Sequence, residues 1–293
     1  MKEHNKIHWV KGLDITPEIL VSSDNYHITE RAVLGQFVAF RLYGVLPDKK
    51  FGFRKWIDNN TNTLYIDDLE CVAITHDGYI INRHSTKIPI EREVSLKEQP
   101  GELYVVLTVN PYSLSLVDEN GQHVCQEYNF VLKRMGEPIE CGIPLVKIIY
   151  NNNSQCWEFD ENYITPSICL SSIDALKQLF TDIKEKFIIA FDKLPENYDL
   201  YTQIMMLKLE LDNYCLQESP QDLILLLKKI CFIFKSYLKT VKKIEETPTI
   251  TKFSEEQYNH NEMSSIIRLG LESLEEIDRK IGEKPVIEDE LKV

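Results

Sequence analysis

Glycine and proline are spread so unevenly along this chain that its two ends must fold by different rules. Nine of the eleven Gly and eight of the twelve Pro precede residue 170, where short alternating apolar runs need turns between them. Beyond Ser172 the apolar residues recur at spacings of three and four, which is the pattern of helices packed along one stripe. The expected class is therefore α+β, an N-terminal antiparallel β-sandwich followed by a C-terminal helical bundle with heptad repeats. The expected segments are an arm over 1–20, the sandwich over 21–170, the helices over 171–283 and an acidic tail over 284–293.

In the arm, Ile7, Trp9, Leu13 and Ile15 alternate around Gly12 and stop at Pro17, so an extended conformation is expected. It can dock as an edge strand on the chain's own sheet, or as a strap to the helices or to a partner. The run Val33, Leu34, Phe37, Val38, Phe40 fits a strand or a short helix equally well. Strands are expected over 63–66, 69–75, 79–82, 87–90, 103–110, 114–117, 124–132, 146–150 and 156–159. Turns at Asp77-Gly78, Pro100-Gly101, Asn120-Gly121 and Asn151-Asn152-Asn153 separate several of these runs. Asn-Gly between apolar runs is a strong hairpin signal.

Four helices are expected in the back half. The first is capped by Ser171-Ser172 and carries Leu176, Phe180, Ile183, Phe187 and Ala190 on one seam. The second runs over 199–217 through Leu200, Ile204, Leu207, Leu211 and Tyr214. The third opens at Ser219-Pro220-Gln221-Asp222, an N-cap with a first-turn proline, and the fourth at the capping box Ser254-Glu255-Glu256-Gln257. Residues 223–227 and 230–234 wrap most of the third helix in apolar side chains. Each such side chain contributes roughly 1.5–3 kcal/mol on burial, so either a four-helix bundle seals them within one chain or copies of the chain associate. Self-association is the reading adopted, through Leu176, Phe180, Ile183, Phe187, Leu223, Leu227 and Ile230.

The formal net charge of -13 argues against nucleic acid or anionic lipid as a partner. The longest apolar stretches are interrupted by Lys228 and Lys229 and fall far short of the roughly 20 residues that span a bilayer, and the first ten residues lack the apolar core of a secretory signal. The chain is expected in the cytoplasm, with no direct membrane insertion. Seven scattered Cys without a C-x-x-C pair read as reduced thiols. The aromatic and basic mixture of Lys49, Lys50, Phe51, Phe53, Arg54, Lys55 and Trp56 reads as a strand's inner face rather than a base-stacking surface. Asp58-Asn59-Asn60-Thr61-Asn62 places oxygen ligands at alternate positions, but Thr63 and Leu69 stand where a calcium loop needs Gly and Glu. It reads as a hairpin loop. No nucleophile or phosphate-loop motif is present, and the one pair of His four apart, His4 and His8, lies in the arm, where no helix is expected, so no catalytic, cofactor-binding or metal-binding residues are assigned and the chain is expected not to be an enzyme.

Trp9-Val10-Lys11-Gly12 in the arm, Asp77-Gly78, and the run from Ile143 to Ser167 ahead of Ser171-Ser172 stand in an order that resembles the TssK family, a baseplate subunit of the type VI secretion system. Ile7-His8-Trp9-Val10-Lys11-Gly12-Leu13 followed by Pro17 is similar to its N-terminal Trp-x-x-Gly arm, and Cys71-Val72-Ala73-Ile74-Thr75-His76-Asp77-Gly78 to its run ending in Asp-Gly. The junction Ile143-Pro144-Leu145-Val146-Lys147-Ile148, Trp157-Glu158-Phe159-Asp160 and Tyr163-Ile164-Thr165-Pro166-Ser167, leading to Ser171-Ser172, matches best.

The resemblance implies a homotrimer with a β-sandwich shoulder and a helical neck. It also implies that shoulder and arm hold the wedge proteins TssF and TssG, and Ile7, Trp9 and Leu13 are the arm residues expected to contact the wedge or the stalk. Membrane-complex components are reached indirectly, at the inner face of the bacterial inner membrane. Only the acidic tail follows the last expected neck helix, so the family's C-terminal head is expected to be missing. Glu18-Ile19-Leu20 stands where the family has an aromatic motif. The rival readings are a phage tail receptor-binding or adaptor protein that contacts a host glycan, and an enzyme built on a β-sandwich.

Overall fold

The structure, a computed structural model, describes residues 4, 6–39, 42–47, 50–83, 93–96, 101–116, 124–195 and 200–282. The expected strand over 87–90, the turns at Pro100 and Asn120-Gly121, the start of the second neck helix at Asp199 and the acidic tail lie outside them. The described residues form two antiparallel sheets and six helices, an α+β fold. The chain divides into two compact units, Met1–Ile168 and Cys169–Val293.

The first unit opens with an extended arm that turns once at Gly12, whose φ of 91° suits glycine. The expectation of an extended segment to about residue 20 fails at Thr16. There α1 (Pro17–Ala39) begins, and the hydroxyl of Thr16 accepts a hydrogen bond from the Ile19 amide at 3.4 Å. Pro17 occupies the first helical turn, where a missing N–H costs nothing. It starts an element instead of ending one, and the undecided run from Val33 is helical to Ala39 as well.

One sheet is organised around β3 (Thr63–Ile74), which pairs with β1 (Gly44–Val45), β2 (Gly52–Asp58), β4 (Ile80–Arg83) and β5 (Glu93–Ser95). The sequence shows two runs there, parted by Asp67-Asp68. The structure has one strand with a bulge. Leu64 and Ile66 point inward, then Leu69, Cys71 and Ala73 do, so the buried parity changes from even to odd. Asp68, at φ 51°, absorbs the change, and the register against β2 slips between Gly52 and Arg54. One extra residue on one strand is what a bulge supplies.

The other sheet has the order β7 (Val124–Arg134), β6 (Glu102–Leu116), β8 (Gly142–Asn151), β9 (Cys156–Phe159). Here too two expected strands, 103–110 and 114–117, are one element with a register break between Asn110 and Leu114. Leu64, Ile66, Cys71 and Ile81 of the first sheet share a single core with Leu103, Val105, Leu107, Ile143, Val146 and Trp157 of the second. Asn59, in the β2–β3 hairpin, accepts the Trp157 amide at 2.9 Å. Phe51 and Phe53 pack against this core as expected of an inner face, but Trp56 points outward and stacks on Tyr65, with ring centroids 5.1 Å apart.

In the second unit, α2 (Asp174–Asp192) starts one turn after Ser171-Ser172, which belong to a short 3-10 turn. Its N-cap is Ile173, with no side-chain cap. α3 (Tyr201–Asp212) is shorter than expected. α4 (Pro220–Thr240) begins as its sequence dictates, with Ser219 Oγ accepting the Asp222 amide at 3.1 Å. The capping box assigned to Ser254 does not form. Ser254 lies inside α5 (Pro248–Glu255), where its hydroxyl donates back to the Ile250 carbonyl at 2.7 Å. The last helix, α6 (Met263–Gly282), starts later, after a 3-10 turn capped by Asn259. The α-helices described in the second unit therefore number five.

Candidate interaction surfaces

Within the first unit, the arm and α1 carry most of the large exposed apolar side chains, Trp56, Ile80 and Met135 being the others among the described residues. Trp9 is 50% exposed, while Ile7 and Leu13 are half-buried. Along α1, Val33, Leu34 and Phe37 face outward, whereas Ala32 and Gly35 face the β3–β4 turn. A methyl group on Gly35 would stand 2.4 Å from the Gly78 carbonyl oxygen, and one on Gly78 would stand 2.0 Å from that of Ala32. The helix sits this close because neither residue has a side chain to hold it off. A hydroxyl chain completes the seat, with Thr29 3.1 Å from Tyr112 and Tyr112 3.0 Å from Tyr79.

Within the second unit the seven residues assigned to self-association have a different place. Leu176, Phe180, Ile183, Phe187, Leu223, Leu227 and Ile230 are each at most 5% exposed within the single chain. Phe187 meets Phe234 edge to face at 6.0 Å, joining α2 to α4, and a methyl placed on Gly270 of α6 would touch Leu227 Cδ1 at 3.0 Å. These side chains are the unit's own core, because α6 fills the seam that a second copy was expected to fill. A partner cannot reach them while the unit stays folded.

What the same helices leave outside is a second set: Phe232 at 69% exposure and Leu225 at 51% on α4, Met206 and Leu209 on α3, Ile188 and Ile189 on α2. Leu225 and Phe232 lie seven residues apart and share a face of α4. Lys229, between them in sequence, pairs with Glu210 of α3 at 3.3 Å, so α3 and α4 meet along this side. The heptad seam is the more regular of the two patterns and therefore the louder one. The second set carries a weaker signal, two apolar residues at the right spacing with lysines between them.

Three of the thiols are quiet. Burial pushes Cys71 and Cys231 up to about 12, and burial, then Asp77 and Glu140, raise Cys141. Thiols held protonated are poor nucleophiles and poor metal ligands. Among the described residues no group of three or more His, Cys, Asp or Glu could hold a metal ion, and no helix is long and apolar enough to cross a membrane.

No family model matches the chain, and no curated protein sequence matches it. Solved structures do, and they show the fold: it is similar to that of a secretion-machine baseplate subunit. The particular fold is that of TssK, as the resemblance in the sequence implied. A chain of the TssK-TssF-TssG baseplate subcomplex of the type VI secretion system, determined by cryo-electron microscopy, is similar over 95% of this chain and 99% of its own, with 12% identity and a TM-score of 0.60. A crystal structure of TssK matches over 96% of this chain and 73% of its own, with 11% identity and the same score, 0.60. TssK from the EAEC system in complex with a nanobody matches over 88% and 98%, with 12% identity and a score of 0.57.

Proposed function

We propose that the chain is a divergent TssK-type subunit of a type VI secretion baseplate, structural and not catalytic. The observation that carries this reading is the fold similarity to TssK over 96% of the chain, which takes in both units. In this reading the two sheets are the layers of a sandwich, the shoulder, and the helical unit is the neck. Three copies associate through the neck and act in the cytoplasm at the inner membrane. Shoulder and arm, with Ile7, Trp9 and Leu13, bind wedge proteins of the TssF and TssG kind. Three copies of one weak site act at high effective concentration on a single wedge.

The neck surface that joins the copies is the exposed set, centred on Leu225 and Phe232 and continued by Met206 and Leu209. Large apolar side chains left in water are what an association surface needs, and Phe is the larger anchor of the two. Sedimentation velocity of the purified chain tests this. The wild type is expected as a trimer at micromolar concentration, with Phe232→Asp shifted to monomer and its circular dichroism unchanged. Leu176→Asp, a charge placed in the unit's own core, is expected to unfold the neck instead. A wild-type monomer, or a trimer indifferent to Phe232→Asp, would refute the assignment.

A further inference from the structure

The arm of the first unit is tied at both ends. At Pro17 it continues into α1. At His4 its imidazole lies against the ring of Tyr112 in β6, with centroids 4.8 Å apart and planes tilted by 45°. Tyr112 also holds α1, through its hydroxyl 3.1 Å from that of Thr29. The far end of the arm therefore returns beside the middle of the helix into which the arm leads. From Thr16 to Thr29 the helix advances about 20 Å, whereas the chain from His4 to Thr16 can span about 40 Å when fully extended. The difference leaves slack for the turn at Gly12, where the Leu13 amide donates to the Val10 carbonyl at 3.1 Å. Arm and helix thus form a closed loop, and the contact of His4 with Tyr112 shuts it.

The closure is a weak one. A pair of rings favours the closed form by roughly two- to twelvefold. Against that, His4 Nε2 is buried with no hydrogen-bond partner among the described residues, and a ring nitrogen taken out of water without a partner opposes its own burial. Along the arm Ile7 and Leu13 are half-buried, while Trp9 and Val10 face solvent. We propose that His4 is a clasp: closed on Tyr112 it holds the arm folded back to α1, and opened it frees Ile7, Trp9 and Leu13 as a tether that reaches away from the sheets. Tyr112 serves arm and helix at once, because its ring takes His4 while its hydroxyl takes Thr29 and, at 3.0 Å, Tyr79. The clasp lies within the first unit and depends neither on the trimer nor on a wedge partner.

The experiment is native-state proteolysis of the full chain with endoproteinase Lys-C. Cleavage after Lys6 and Lys11, both exposed residues of the arm, is timed by mass spectrometry, and the melting temperature checks that the fold is intact. When opening and closing are fast, cleavage follows the open fraction. His4→Ala removes the ring and is expected to quicken cleavage roughly two- to twelvefold, with the melting temperature unchanged. His4→Phe keeps a ring and has no orphaned nitrogen, so it is expected to be cleaved no faster than wild type. In a Tyr112→Leu background, where the clasp has no ring to close on, His4→Ala is expected to add nothing. Equal cleavage of wild type and His4→Ala, His4→Phe cleaved as fast as His4→Ala, or an undiminished effect of His4→Ala beside Tyr112→Leu would overturn the clasp.

Discussion

Glu276 is a carboxylate on α6 with 4% of its surface exposed, and its Oε2 accepts the backbone amide of Ile250, in the first turn of α5, at 3.0 Å. Helix α5 has no side-chain N-cap, since Thr247 makes no cap hydrogen bond, so the charge of Glu276 satisfies an otherwise orphaned donor. Replacing it by Ala leaves the Ile250 amide buried and unpaired, at about 1–3 kcal/mol, and removes a favourable charge from the positive end of a helix, at roughly 0.3–1 kcal/mol. Together these come to about 1.3–4 kcal/mol. Glu276→Gln keeps an acceptor and loses only the charge, so it is expected to cost about 1 kcal/mol or less. Urea denaturation measures the totals, and amide exchange at Ile250 gives the location. Equal costs for Ala and Gln, or exchange at Ile250 that does not quicken in the Ala variant, would refute the cap.

Packing and burial set two more outcomes. Gly78→Ala forces a side chain at φ 83° against the Ala32 carbonyl. The left-handed strain alone is roughly 1–2 kcal/mol, so the variant is expected to melt lower, with amide exchange along α1 accelerated; a melting point unchanged from wild type would show that α1 is not seated there. At neutral pH iodoacetamide is expected to label Cys215, the exposed thiol, well before Cys71 and Cys231, as mass spectrometry of the peptides would show. Because burial raises Cys71 and Cys231 to about 12, their contribution to stability is intact below the unfolded thiol value of about 8.5 and declines above it towards 12. Stability that rises with pH across that window would contradict the sign.

Much of the fold is legible in the sequence because turns and seams are local. Ser219-Pro220 announces α4, and Asp77-Gly78 closes a turn in which the Gly78 amide reaches the Thr75 carbonyl at 2.9 Å. The helices that escape a sequence reading share one physical cause. A proline after a small hydroxyl residue opens a helix at Ser219-Pro220, at Thr16-Pro17 and at Thr247-Pro248 alike. Only the first leads straight into a regular apolar seam, so α1 and α5 stay hidden. Proline in a first helical turn and proline ending an extended run look alike until the residues after it are weighed.

The contact surface is hard to read for another reason. A heptad records which residues face an apolar neighbour, not whose neighbour it is. In α2 and α4 the neighbour is α6 of the same chain, and Gly270, which admits Leu227, has no signal in a search for apolar periodicity. The seat of α1 around Tyr112 leaves no trace in the sequence either. Thr29, Tyr79 and Tyr112 are far apart along the chain, and only the fold brings them together.

The bulge at Asp68 gives β3 a division of labour. With four strands leaning on one, a slip of register would turn every inward side chain outward along its whole length. An extra residue at mid-strand breaks that dependence, because facing is reset at Asp68. The half that holds β2 and β5 can exchange its outward side chains, Trp56 and Tyr65 among them, without dictating which way the half that carries β4 and seats α1 must look. Such a strand lets the outer surface diverge while the frame beneath it stays in register.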